Sequence, residues 1–257
     1  MKIFDQAIGA MYIWSIVLLL LLDIYSSYTL GQFPFGLILA VLVASIAEIA
    51  FTSYHLKHNL KIPFSGIITG MIIGSVAPIS VQPVAIAIAC ILAISSKFLI
   101  KIKGSNIFNP AALGMLVGLG IFSIGDEWWA ASNVNLYSIA IPLAIILVIS
   151  AYQAKRLITA FSFIVVATLV GVILSRHINI ASLGFALLSV NYFFAFLMLT
   201  EPKTSPTKNM AQALYGVGIA IIYSILAISG VSYSYFVALL FGNAAYAIYR
   251  RRGHRLI

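Results

Sequence analysis

Charge is scarce in this chain. Of 257 residues only 8% are charged, and the acids number six: Asp5, Asp23, Glu48, Asp126, Glu127 and Glu201. Ordinary soluble domains carry about 25% charged residues, so a water-facing globule is excluded. Cysteine is almost missing. The one thiol, Cys90, lies inside an apolar run, which excludes a disulfide framework, a CxxC pair or a cysteine-held iron–sulfur cluster within this chain. Any redox group has to be held another way. There is no Walker A loop, no GxGxxG after a strand and no Ser-His-Asp constellation, and no polar stretch is long enough to form a nicotinamide-binding domain. His55, His58, His177 and His254 fall near helix ends or loops without a metal-ligand partner at i+4 on a buried face. No metal ligand and no catalytic residue is assigned.

What the chain has is hydrocarbon: 62% hydrophobic residues and a mean hydropathy of +1.09. The expectation is a single integral membrane domain over residues 1–257, an all-α polytopic membrane protein. About 20 apolar residues cross a bilayer, and ten runs qualify or nearly do, at 9–30, 33–54, 64–80, 84–100, 110–124, 134–153, 156–175, 179–199, 206–229 and 231–249. The first follows Met1-Lys2 but outruns the roughly 7–15 apolar residues of a secretory signal, so it reads as a retained helix. With the N-terminus inside, the inner segments hold Lys2, Lys57, Lys61, Lys97, Lys101, Lys103, Lys155, Arg156, Lys203, Lys208, Arg250, Arg251, Arg252 and Arg255, or 14 of the 15 basic residues. Only Arg176 remains outside. That bias predicts a multi-pass plasma-membrane protein with both termini cytoplasmic. It leaves GDEWWAASN, residues 125–133, outside, its tryptophans suited to the outer interface. The net charge of +9 is spread over gaps between apolar runs, which argues against nucleic acid as a partner. The Arg250-Arg251-Arg252 cluster reads as a topology signal meeting anionic lipid, with a cytoplasmic partner interface as the alternative.

Two polar interruptions share a plan. KIKGSNIFNPAALGMLVG, residues 101–118, ends one apolar run and opens the next with Asn109-Pro110, a good N-cap followed by a proline in the first turn. TEPKTSPTKNMAQALYGVG, residues 200–218, repeats the plan with Ser205-Pro206. The two prolines are 96 residues apart, and Gly118 and Gly120 map onto Leu214 and Gly216. One reading is two capped helix starts at the interface. The other is two helix N-termini facing an electron-rich group, as in transporters built from broken helices. Asparagine amides can read the edge of a neutral heterocycle.

The run Gly104-Ser105-Asn106-Ile107-Phe108-Asn109-Pro110-Ala111 resembles the NxFNPA signature of the membrane subunit shared by Rnf-type electron-transport complexes and sodium-translocating NADH:quinone reductases, the RnfD/NqrB family. Leu199-Thr200-Glu201-Pro202-Lys203-Thr204-Ser205-Pro206 is similar to that family's second signature, ATDPVTSP. The resemblance covers most of residues 60–230. It implies a fold similar to urea transporters with two five-helix halves, and a flavin near the asparagines of the first motif. Asn106, Phe108, Asn109 and Pro110 are the implied contacts, with Thr200, Glu201, Thr204 and Ser205 from the second motif. The family also carries FMN esterified to the threonine of an outer SGAT motif. Here that region is GDEWWAASN, without SGAT and without threonine, so this short form is expected to hold a non-covalent flavin, riboflavin or FMN, and no covalent FMN.

Acids inside membranes are functional candidates by default. Glu48 lies in the inner half of the second run and Asp23 in the outer half of the first; an ion pathway and simple helix packing are both open for them. The leading expectation is a flavin-binding electron-transfer subunit of a redox-driven ion translocase, not an enzyme by itself. Its implied partners are other membrane and peripheral subunits, with a quinone as a candidate and lipid around it. The rival is a channel or carrier for a small neutral solute or a flavin on the same fold. A non-catalytic assembly subunit ranks below both, because that role does not call for two polar helix breaks.

Overall fold

A computed structural model describes residues 2–56, 62–102, 104–132 and 140–253. Lys57, His58, Lys61, Lys103, His254 and Arg255, all used in the charge and histidine readings above, lie outside the described residues. The chain divides into two compact units, residues 1–146 and 147–257. Both are built of helices; among the described residues the strands are one two-residue pair.

The first unit opens with α1 (Lys2–Leu30), α2 (Phe35–Leu56), α3 (Phe64–Val76) and α4 (Pro83–Leu99). A minimal hairpin follows, β1 (Lys101–Ile102) and β2 (Ser105–Asn106), then α5 (Pro110–Gly114), a π-helical turn over Met115–Leu119 and the short α6 (Trp129–Ser132). Next comes α7 (Ala140–Gln153), which crosses the boundary between the units. The second unit continues with α8 (Leu157–Leu174), α9 (Ile180–Leu188), a π-helical turn over Phe194–Met198, α10 (Asn209–Ile228) and α11 (Ser234–Gly253).

Among the described residues four segments are long and apolar enough to cross a bilayer: Ile13–Leu30, Phe35–Tyr54, Leu157–Leu174 and Asn209–Ile228. Their outward faces are as oily as their cores. Leu21, Ile46, Val165 and Leu169 are all more than half exposed, which is tolerable only where the surroundings are hydrocarbon. This is an all-α, multi-pass membrane protein. Several of the expected runs differ in detail: the third, 64–80, is helical only to Val76, and residues 134–139 of the sixth lie outside the described residues. The eighth, 179–199, breaks after Leu188, and helix resumes only beyond Asn191, whose Oδ1 accepts the Phe194 N–H at 2.9 Å. The ninth does not open at Pro206 but at Asn209.

Glycine sets how closely the first unit packs. Gly66, Gly70 and Gly74 form one stripe on α3 facing α2. A methyl at Gly70 would sit 2.6 Å from the Ala40 carbonyl oxygen and 2.7 Å from the Val41 Cα, and main chain cannot step aside as a side chain can. This close approach of backbones stands in for the hydrophobic drive that helices lack inside a bilayer. Beside it, α6 is clamped to the end of α3. The Trp129 indole N–H donates to the Gly74 carbonyl at 2.7 Å, and the Glu127 and Trp128 N–H groups share the Val76 carbonyl at 3.0 Å.

Gly70→Ala is expected to lose about 2 kcal/mol through overpacking, read as a lower midpoint of thermal unfolding in detergent. Gly120→Ala, whose added methyl meets nothing within 4 Å, should be neutral or gain up to about 1 kcal/mol. Equal midpoints for the two variants would contradict this packing.

Candidate functional site

The first motif is an unwound segment held by its own backbone. Lys101 pairs with Asn106 and Ile102 with Ser105. The turn between them needs Gly104, at φ +76°, because a Cβ there would be strained. The Ile107 N–H closes the segment onto the Ile100 carbonyl at 3.3 Å. Asn109 is extended (φ −62°, ψ 120°) and caps α5: its Oδ1 accepts the Ala112 N–H at 3.0 Å, and Pro110 takes the first helical position. The helix start expected at Asn109-Pro110 is found there. Asn106 and Asn109 are both buried, with Phe108 half-buried beside them. Beyond α5, Gly114 and Gly118 lie against Ala89 and Ala93 of α4 with no room for a methyl, and the π-turn over Met115–Leu119 sits on the same stretch. Such turns gather at functional sites.

In the second unit the second motif folds back on itself. The Thr204 and Ser205 N–H groups both donate to the Glu201 carbonyl, at 3.2 and 3.1 Å. Ser205 Oγ donates to the same oxygen at 2.7 Å, Thr204 Oγ1 to Glu201 Oε2 at 3.2 Å, and Thr200 Oγ1 to the Phe196 carbonyl at 2.5 Å. These hydroxyls are committed to their own turn. That turn also explains why helix is delayed past Pro206: 204–205 already bond backward, and the chain becomes helical only after Lys208, still extended at ψ 135°.

Arg156 pins this turn, although a count of basic residues treats it only as a positive charge. It is 4% exposed. Its Nε donates to Ser205 Oγ at 3.0 Å, one terminal nitrogen reaches the Pro202 and Ser205 carbonyls at 3.4 Å, and the other the Ala154 and Lys155 carbonyls at 3.2 and 3.1 Å. Burial lowers its hold on the proton, but a guanidinium stays charged throughout the physiological range. The preceding helix delivers it. Lys155 takes the left-handed φ of +56°, and the Lys155 and Arg156 N–H groups bond back to the Tyr152 and Ala151 carbonyls, both at 2.9 Å. This double back-bonding ends a helix and turns the next residue inward. Gln212 Nε2 holds the Lys155 and Thr207 carbonyls at 3.0 and 2.9 Å, while its Oε1 is buried with no partner among the described residues. Asn243 Nδ2 joins Tyr215 Oη at 2.6 Å to the Thr204 carbonyl at 3.3 Å. None of Arg156, Gln212 or Asn243 lies in the residues matched to either signature; the signal for them is a polar side chain inside or beside an apolar run.

The two membrane acids of the first unit occupy different surroundings. Asp23 Oδ1 accepts from Ser75 Oγ at 2.7 Å, and its Oδ2 is buried without a partner among the described residues. Glu48 Oε1 is 3.2 Å from Lys97 Nζ, which also donates to Ser65 Oγ at 2.6 Å. Lys97, 6% exposed, counts with the inner loops in the charge pattern although it falls within the 84–100 run; the signal for this pair is a lysine and a glutamate in separate apolar runs. Glu48 lies against Gly66 of α3: a methyl there would lie 2.5 Å from Glu48 Oε2 and 2.9 Å from the Ala44 carbonyl oxygen.

No family model matches the chain. One subunit of the proton-translocating ferredoxin:NAD(+) oxidoreductase complex of Clostridium ljungdahlii is 28% identical to it over 152 residues, a stretch that covers 55% of this chain and 44% of that protein. The chain thus spans less than half the length of the curated relative it matches. This likeness is compatible with the family resemblance of the two motifs.

Replacing Arg156 by lysine removes the fork that feeds four carbonyls, and lysine cannot reproduce it. Buried acceptors left without a donor cost about 1–3 kcal/mol, so Arg156→Lys should lower the unfolding midpoint in detergent clearly. Ser205→Ala should cost about 1 kcal/mol, and the two losses should not add, since they share one bond. Additive losses would show that Arg156 does not act through Ser205.

Proposed function

We propose that the chain is a flavin-binding electron-transfer subunit of an Rnf-type, ion-translocating membrane complex. The observation that carries the reading is the buried Asn106–Asn109 entry into α5, taken with the similarity to one subunit of a ferredoxin:NAD(+) oxidoreductase complex. The donor set suits a flavin. Asn106 brings a neutral amide with donors and an acceptor, Asn109 an amide whose Oδ1 also caps α5, and Phe108 an apolar ring; this set suits a planar heterocycle with alternating carbonyls and an N–H on one edge. Asn106, Asn109 and Phe108 would hold the cofactor, riboflavin or FMN, bound without a covalent link. A flavin supplies a carrier for one or two electrons. The chain's part is to hold that edge at a buried helix entry, where each hydrogen bond is stronger than in water. Thr200, Glu201, Thr204 and Ser205, in the second unit, are bonded within their own turn.

In this reading, electrons that come from a nicotinamide or a ferredoxin reach the chain from another subunit, because its connecting segments are too short to form such a domain. The expected setting is a multi-subunit complex in the plasma membrane, with both termini on the cytoplasmic side and a quinone as a candidate acceptor. Glu48 with Lys97, and Asp23 with Ser75, are the candidate ion-handling groups. The channel reading keeps one point in its favour, the absence of the outer SGAT threonine, and the same experiment separates the two.

Acid extraction of the purified protein should release close to one flavin per chain. Asn106→Ala should lower retention by about tenfold or more, since one lost buried hydrogen bond is worth about 1–3 kcal/mol and 1.4 kcal/mol is a decade. For Asn109 the informative change is to serine, which still caps the helix but loses the amide; it should lower retention without lowering the unfolding midpoint. Asn135→Ala, outside the motif, should change nothing. A wild type that is folded, colourless and conducts a small solute in vesicles would replace this reading with the channel.

A further inference from the structure

We propose that a groove between α10 and α11 binds an anionic phospholipid, with an acyl chain along the groove and the phosphate at its basic end. The groove has a volume of about 400 Å³ and lies wholly within the second unit. It is lined by small residues, among them Ala211, Gly218 and Ala245, by Phe241 and Tyr249, and by Lys208 just before α10.

Gly218 shows that the space is not left over from helix packing. A methyl at Gly242, also in the groove, would press on the Ile219 side chain, which marks where α10 and α11 meet. At Gly218 a methyl would meet nothing within 4 Å. Glycine in a helix interior costs about 1 kcal/mol relative to alanine, and here no neighbour among the described residues requires it. The room suits something outside the chain.

Length and charge say what. From Lys208 to Ile222 the α10 wall runs about 20 Å at 1.5 Å per residue, enough for an acyl chain through one leaflet of a core about 30 Å thick. Leu214 and Phe241 on the rim are 67% and 63% exposed, so the groove opens towards hydrocarbon. Its end is basic. Lys208 lines it, and the Arg250 guanidinium lies 5.8 Å from the centre of the Tyr246 ring, itself part of the lining. Lysine and arginine donate charge-assisted hydrogen bonds to phosphate oxygens, and Tyr246 and Tyr249 at that end suit the headgroup level. A zwitterionic lipid would leave those cations less well matched, and a neutral apolar tail alone would not use them.

The test is native mass spectrometry of the full chain after reconstitution into vesicles of equal phosphatidylglycerol and phosphatidylcholine, followed by graded removal of detergent and lipid. Wild type should retain phosphatidylglycerol in preference. Each basic residue near an anionic surface is worth about fivefold, so Lys208→Gln with Arg250→Gln should erase a preference of roughly 25-fold while lipid still binds. Gly218→Leu fills the groove and should abolish retention of both lipids. Gly184→Leu, at a glycine equally open but on α9, should not. Equal retention of the two lipids by wild type, unchanged retention in Gly218→Leu, or the same loss in Gly184→Leu would each overturn the proposal. The double glutamine variant keeps the test decisive if the leucine variant does not fold.

Discussion

Every peptide group that leaves the helical pattern inside a bilayer must find its hydrogen bond within the protein, because hydrocarbon offers none. The architecture around both motifs is the answer to that constraint. In the first unit the segment after α4 pairs with itself as a two-residue hairpin and then re-enters helix under the Asn109 cap. In the second, the turn after the Phe194–Met198 π-turn has carbonyls pointing inward, and a buried guanidinium collects them. Arg156, Gln212 and Asn243 are thus polar residues placed where main chain would otherwise go unsatisfied, each reaching a carbonyl of the Lys155 or 202–207 backbone. The membrane acids meet the same constraint with one oxygen each: Glu48 Oε1 has an ammonium and Asp23 Oδ1 a hydroxyl, while Glu48 Oε2 and Asp23 Oδ2 are buried without a hydrogen-bond partner among the described residues. Breaking the Glu48–Lys97 pair from one side would strand a buried charge at a cost of about 3–5 kcal/mol.

Much of this is legible in the sequence, for physical reasons. Helix and membrane are written in apolar runs near bilayer length, and the start of α5 in Asn109-Pro110, a local signal that depends on no distant residue. Ser205-Pro206 looks like the same signal and is not. Its residues have a stronger local option, the turn onto the Glu201 carbonyl, and serine side chains take such options readily. The break at Ser189–Asn191 is hidden because the residues around it are mostly apolar and carry no proline. Arg156 and Lys97 are hidden differently. A positive-inside count treats every basic residue as a loop charge, so it cannot distinguish one that turns inward to carbonyls or to a carboxylate. The π-turn over Met115–Leu119 coincides with closely packed glycines, whereas the one over Phe194–Met198 has no sequence mark that explains it.

The proposed flavin site at the first motif depends on rigidity. A group held by amides works only if those amides do not move, and here a capped helix start, a closed hairpin and two glycines pressed against α4 fix Asn106 and Asn109 from three sides. The second motif is bonded just as firmly, but its hydroxyls serve its own backbone and the Glu201 carboxylate. The two sequences resemble each other, and in both a side chain serves the local backbone: Asn109 caps α5 with its Oδ1, and the threonines and serine of the other build a frame.

The most direct measurement of the central claim is an anaerobic redox titration of the purified wild-type chain followed by visible absorbance. A flavin band near one equivalent per chain that bleaches with dithionite and returns in air is the predicted result. A folded protein with no such band, or with a band that does not respond to reductant, would contradict an electron-transfer role.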